Sequence, residues 1–164
     1  MGRLRTNSFL IHTGAEKKTS NCMRFNGTGL LINEDTPKVW AKDSNGNVRK
    51  DKSGNEIPGD PIQEILPAAW LKVVDGWAKD GNWGGYLQVT SKENEGGWIQ
   101  IPDDYMRVGT KKANQFTFVD KDDYYEIWYD GSEGKRPLTI VDGNQLRFVD
   151  GAEPARFNIF DSTH

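Results

Sequence analysis

The chain has 164 residues, a net charge of −3 and 35% hydrophobic residues, with 6 Trp, 5 Tyr and 7 Phe. That is one domain's length with ample aromatic surface for a core, which excludes a disordered, solvating chain. No Lys/Arg run exceeds two residues, so no phosphate-reading basic stripe is visible and no nucleic-acid partner is expected. Cys22 is the sole cysteine, which excludes an intrachain disulfide and a thiolate metal cluster.

The start, Met1-Gly2-Arg3-Leu4-Arg5, has no apolar stretch behind it. It predicts neither a signal peptide nor a membrane span, hence cytoplasmic synthesis without classical export. Ser8–His12 is the first strand candidate. Asn21–Ile32 follows as strand, Asn26-Gly27 turn and strand, and then Lys38–Asp43 as a further strand after the Pro37 turn. Asp43 to Pro61 is almost wholly polar and reads as an insertion at about 43–60, either a protruding hairpin or a long surface loop. Pro61–Leu66 allows one or two helical turns, stopped by Pro67, the only helix expected.

Trp70–Val74, Gly85–Thr90, Trp98–Ile101 and Asn114–Asp120 are the next strand candidates. Tyr124–Tyr129, Pro137–Val141, Leu146–Val149 and Ala155–Asp161 complete the set. Phe116-x-Phe118 and Phe157-x-Ile159 alternate with period two, the mark of half-buried antiparallel strands. Seven Asn-Gly or Asp-Gly pairs, at 26, 45, 75, 80, 130, 142 and 150, punctuate these runs. Such pairs favour hairpin turns with positive φ, so the chain reads as a string of β-hairpins.

The candidates fall into three groups of four, each ending in a strand that closes on an acid. This pattern resembles the β-trefoil, the pseudo-threefold fold of many lectins, growth factors and protease inhibitors, across most of residues 8–161. A Greek-key sandwich or barrel is the alternative all-β design. Ricin-type lectins of the trefoil family close each repeat with Gln-x-Trp. Here the closures are Val39-Trp40-Ala41, Phe116-Thr117-Phe118 and Phe157-Asn158-Ile159, so those sugar residues have no counterparts.

Catalytic signals are sparse. His12 and His164 are the only histidines, and neither lies in a motif that supplies a base with an orienting partner. Asp103-Asp104, Asp120, Asp122-Asp123 and Glu126 could in principle serve a glycosidase, but adjacent acids in turns usually face water. Asp43, Asn45, Asn47 and Asp51 fail the twelve-residue calcium-loop pattern. No enzyme, cofactor or metal is therefore expected.

The aromatic residues have more functional colour. Trp77 and Trp83 lie in a run of Gly, Asp, Lys and Asn that does not read as a core strand. Trp77, Asp80, Asn82, Trp83, Tyr86 and Trp98 are the candidate binding residues, offering flat faces beside acceptors. Such a set suits a protein interface or a sugar ring. Rings capping the end of a barrel are the structural alternative. The leading expectation is a non-enzymatic interaction module, with a protein partner or self-assembly. Its polar, turn-rich style resembles accessory and decoration proteins of phage particles, which would place it in a viral particle. A soluble carbohydrate-binding protein is the first alternative, and an inhibitor acting through the 43–60 loop the second.

Overall fold

The computed structural model describes residues 7–13, 22–32, 41–57, 67–131, 134–142 and 145–161. The chain clusters into two compact units, one of residues 1–34 with 67–164 and one of residues 35–66. The described residues contain strands and turns and no helix, so none holds a helix able to cross a membrane. The short helix expected at Pro61–Leu66 lies outside the described residues.

The described residues of the larger unit form twelve strands: β1 (Phe9–His12), β2 (Met23–Asn26), β3 (Gly29–Ile32), β4 (Leu71–Lys79), β5 (Asn82–Val89), β6 (Trp98–Gln100), β7 (Arg107–Gly109), β8 (Gln115–Asp120), β9 (Tyr125–Gly131), β10 (Gly134–Val141), β11 (Gln145–Phe148) and β12 (Asn158–Asp161). All pairings between them are antiparallel. Eight strands close a barrel in the order β5-β6-β7-β3-β11-β10-β9-β8 and back to β5. β5 continues on its other side to β4, β1 and β12. β12 in turn reaches β9 through the Tyr125–Phe157 bridge.

Alternation along the strands drives this closure. Trp83, Leu87 and Val89 of β5, Phe116 and Phe118 of β8, and Tyr125 and Ile127 of β9 all point inward and are buried. Trp83 stacks on Phe118 with centroids 4.1 Å apart and planes 4° from parallel. Phe9 meets both rings edge-on at 5.9 Å, and Tyr125 meets Trp83 at 5.8 Å. Edge-to-face and offset packing of this kind adds to the gain from burial alone.

Several turn expectations change. Asp80-Gly81, with φ of 55° and 85°, is the two-residue turn joining β4 to β5, a geometry that matches strand twist and needs positive φ at both positions. Asp75-Gly76 is instead a bulge inside β4. Val74 pairs with Tyr86 and Trp77 with Gly84, so two residues face Gly85 alone, and Asp75 takes a φ of 52°. A bulge absorbs one extra residue without ending the strand. Asp130-Gly131 is the end of β9, where Gly131 pairs with Gly134.

The strand set also differs from expectation at two places. Arg107–Gly109 forms β7, which has no apolar alternation to reveal it. Of the strand expected at Lys38–Asp43, residues 41–43 belong to the smaller unit and 38–40 lie outside the described residues. In that unit Asp43–Asn47 and Asp51–Asn55 form the same turn twice. The N–H groups of Asn45 and Asn47 donate to Asp43 Oδ1 at 2.9 and 3.0 Å. Those of Ser53 and Asn55 do the same to Asp51 Oδ1. The N–H of Ala41 donates to the carbonyl of Ile57, that of Ile57 to Arg49, and that of Arg49 to Ala41. The three bonds form a closed triangle at eight-residue intervals, so this polar stretch is a built element that satisfies its own backbone.

Candidate functional site

On the barrel wall, cross-strand partners project to the same side. The pairs Trp83–Phe118 and Phe118–Ile127 define an inward row of buried side chains. One step along each strand, Trp77–Gly84, Gly84–Thr117, Thr117–Trp128 and Trp128–Pro137 define the adjacent outward row. Trp77 and Trp128 thus stand on the outer wall with the small residues Gly84 and Thr117 between them.

A groove of about 310 Å³ opens on the outer side of β8, β9 and β10, lined by Thr117, Val119, Lys121, Glu126, Trp128, Asp130 and Lys135. Half-buried Trp128 presents the groove's aromatic surface, and its Nε1 donates to Glu126 Oε1 at 3.1 Å. Residues two apart on a strand share a face, so the Glu126 carboxylate can fix the indole from its own strand. Asp130 and Lys135 are direct cross-strand partners. Two carboxylates and two ammonium groups line the groove, and their formal charges cancel.

The expected binding residues separate. Trp77 is 36% exposed on the outer wall, and its ring lies across Gly84, where an added Cβ would come within 2.9 Å of Cζ2. Asp80 is at the tip of the β4–β5 turn. Asn82 is engaged in the fold, its Oδ1 accepting from the Asp120 N–H at 3.0 Å. Tyr86 is half-buried on the outer wall; Gln115 Nε2 lies 3.3 Å from its hydroxyl and the Lys112 ammonium sits 5.0 Å from its ring centroid. Lys112 also hydrogen-bonds Asp75, which raises its pKa above the ordinary range. Trp98 stands on β6 opposite Gln88 and Gly109, away from the groove.

Trp83 is a correction. It is fully buried at the centre of the aromatic core, not exposed beside polar neighbours. The glycine-rich run around it forms two long paired strands, and its alternation with Leu87 and Val89 sets its direction. Its Nε1 is buried without a hydrogen-bond partner among the described residues.

Reading the sequence for exposed aromatics passed over Trp128, together with Thr117, Lys121, Asp130 and Lys135. The signal was there: in Tyr125-Glu126-Ile127-Trp128-Tyr129 the tryptophan shares parity with Glu126 and opposes the apolar Tyr125 and Ile127.

Four of the other carboxylates make contacts within the fold. Asp104 pairs with Arg147 at 2.8 Å, and Asp120 Oδ1 accepts from the Asp122 N–H. Asp43 and Asp51 hold turns. Among the described residues no three His, Cys, Asp or Glu side chains gather as a metal site. Cys22 is buried, and that burial pushes its thiol pKa up, which disfavours the reactive thiolate. No protein-family model matches the chain, and no curated protein or solved structure does either.

Proposed function

We propose that the protein is a non-enzymatic binding module of β-trefoil type that holds a neutral saccharide in the groove on β8, β9 and β10. The trefoil reading is supported by a circuit of six strands, β1, β4, β5, β8, β9 and β12, paired through the β-ladders and the Tyr125–Phe157 bridge. The other six strands form three hairpins, β2-β3, β6-β7 and β10-β11, and β3 pairs with both β7 and β11.

The observation that carries the ligand assignment is the Trp128 indole, tied to Glu126 in a mixed-charge groove. A sugar offers an apolar C–H face together with hydroxyls that donate and accept. Trp128 supplies a flat apolar surface, Glu126 and Asp130 accept, and Lys121, Lys135 and the Thr117 hydroxyl donate. Cancelling charges favour a neutral ligand over a phosphate or another anion. The test is a neutral glycan array followed by titration of the best binder, read by intrinsic fluorescence. Trp128→Ala should abolish binding and leave the melting temperature within a few degrees. Absence of any binder at millimolar concentration would reject the assignment.

A second reading, a structural subunit that associates with further copies, draws on Tyr105, Val141 and Val149. These are 36–39% exposed and lie along or beside β11. Light scattering over a concentration range tests it: rising mass supports self-assembly, and a constant monomer mass rejects it.

A further inference from the structure

The groove is not the end of the aromatic surface. From Trp128 the outward row runs through Thr117 and Gly84 to Trp77. Neighbouring strands are about 4.8 Å apart, so three steps set the two tryptophan backbones roughly 14 Å apart. Nothing large stands between them, since Gly84 has no side chain and Thr117 has a small one with a hydroxyl. The six-membered ring of Trp77 lies against Gly84, where an added Cβ would come within 2.9 Å of its Cζ2. The bulge at Asp75-Gly76 is what aims it there. If the ladder ran through Asp75 and Gly76 without a bulge, Trp77 would fall on the opposite parity from Val74 and point inward.

Resting on the saccharide reading, we infer that the binding site extends across the strands from Trp128 to Trp77, and that its ligand is a linear, unbranched neutral oligosaccharide longer than a disaccharide. Trp128 is the primary platform and Trp77 the distal one. Two platforms joined by a low floor admit a chain lying flat, and a branch pointing downward would strike the wall at Thr117. The Lys112–Asp75 pair and Tyr86, in the next outward row, border the path on one side.

The experiment uses the full chain and cello-, manno- and chito-oligosaccharides from disaccharide to hexasaccharide, titrated by calorimetry. In the wild type, affinity for the preferred series should rise about tenfold between disaccharide and hexasaccharide, the value of one well-placed aromatic contact. Trp77→Ala should remove that rise and leave disaccharide affinity unchanged, and Trp77→Tyr should restore most of it. Trp128→Ala should abolish binding at every length. If Trp77→Ala keeps the length dependence, the extension is overturned while the groove assignment stands. If no length of any series binds, the groove assignment fails and the extension fails with it.

Discussion

Replacing Gly84 by alanine is the sharpest test of the barrel wall. A Cβ built there would lie 2.1 Å from the carbonyl oxygen of Phe116 and 3.1 Å from its carbonyl carbon. Close C–H···O contacts between strands have C···O distances of about 3.3 Å, so β5 and β8 would have to separate locally by about 1 Å. The obstacle is backbone in a closed ring, which cannot turn aside as a long side chain would. Overpacking in a tight site costs about 1–3 kcal/mol, and this geometry belongs at the upper end. Reduced freedom of the unfolded chain returns about 0.4–1 kcal/mol, leaving a net loss of roughly 2 kcal/mol. For a chain of this length that lowers Tm by about 4–8 °C. Gly29→Ala is the control, because its Cβ would meet only the Asn26 carbonyl oxygen at 3.6 Å, an ordinary contact. Thermal unfolding followed by circular dichroism should separate the two variants clearly. Equal melting temperatures would refute the close approach of β5 and β8.

Three further outcomes follow from the core and the hairpin. Trp83→Ala should cost about 3–5 kcal/mol in urea unfolding, whereas Trp83→Phe should cost less than half as much. The second change removes an Nε1 that is buried without a partner and so relieves its desolvation penalty. Cys22 should resist a thiol reagent in the native protein and react fully in denaturant. Because burial raises its folded pKa, the unfolded chain loses the thiol proton first as pH rises past about 8.5. The unfolded state then binds fewer protons, so stability falls with rising pH. Urea midpoints between pH 8 and pH 10 should decline more in the wild type than in Cys22→Ala. Finally, Asn82→Ala should lower stability by about 1 kcal/mol through loss of its bond to the Asp120 N–H, with saccharide affinity unchanged; reduced affinity at unchanged stability would instead make Asn82 a ligand contact.

Much of the fold was legible because half-buried strands write themselves as alternation. Phe116-x-Phe118 and Phe157-x-Ile159 point inward as their spacing implies, and Asp80-Gly81 forms the turn its chemistry favours. Legibility failed where one residue answers to two rules. Asp75-Gly76 has turn composition, yet the strand continues through it as a bulge, because pairing on both sides outweighs the local preference. Trp83 was judged by the polarity of its neighbours, when parity with Leu87 and Val89 decides which way a strand residue faces. β7 carries no periodic signal, since Arg107–Gly109 is held by pairing with β6 and β3. The groove was harder still. Its lining comes from β8, β9 and β10 and from Lys121 in the β8–β9 connection, and only the register of the ladders shows that Trp77 and Trp128 share one row.

The pairing of β1 with β12 bears on how the molecule is made. Phe9 lies opposite Asp161, and His12 opposite Asn158, so β1 waits for a strand made about 150 residues after it. Long-range pairing of this kind slows folding, because the entropy of closing the loop is lost before the contacts form. Until residue 161 emerges, Phe9 and Ile11 have no β12 to pack beside, and the nascent chain must keep that apolar edge from other strands. Premature termination before β12 should therefore yield an aggregation-prone product rather than a smaller working barrel. A circular permutant that joins the two ends and opens at the exposed Asp80-Gly81 turn should bring β1 and β12 together early and fold faster.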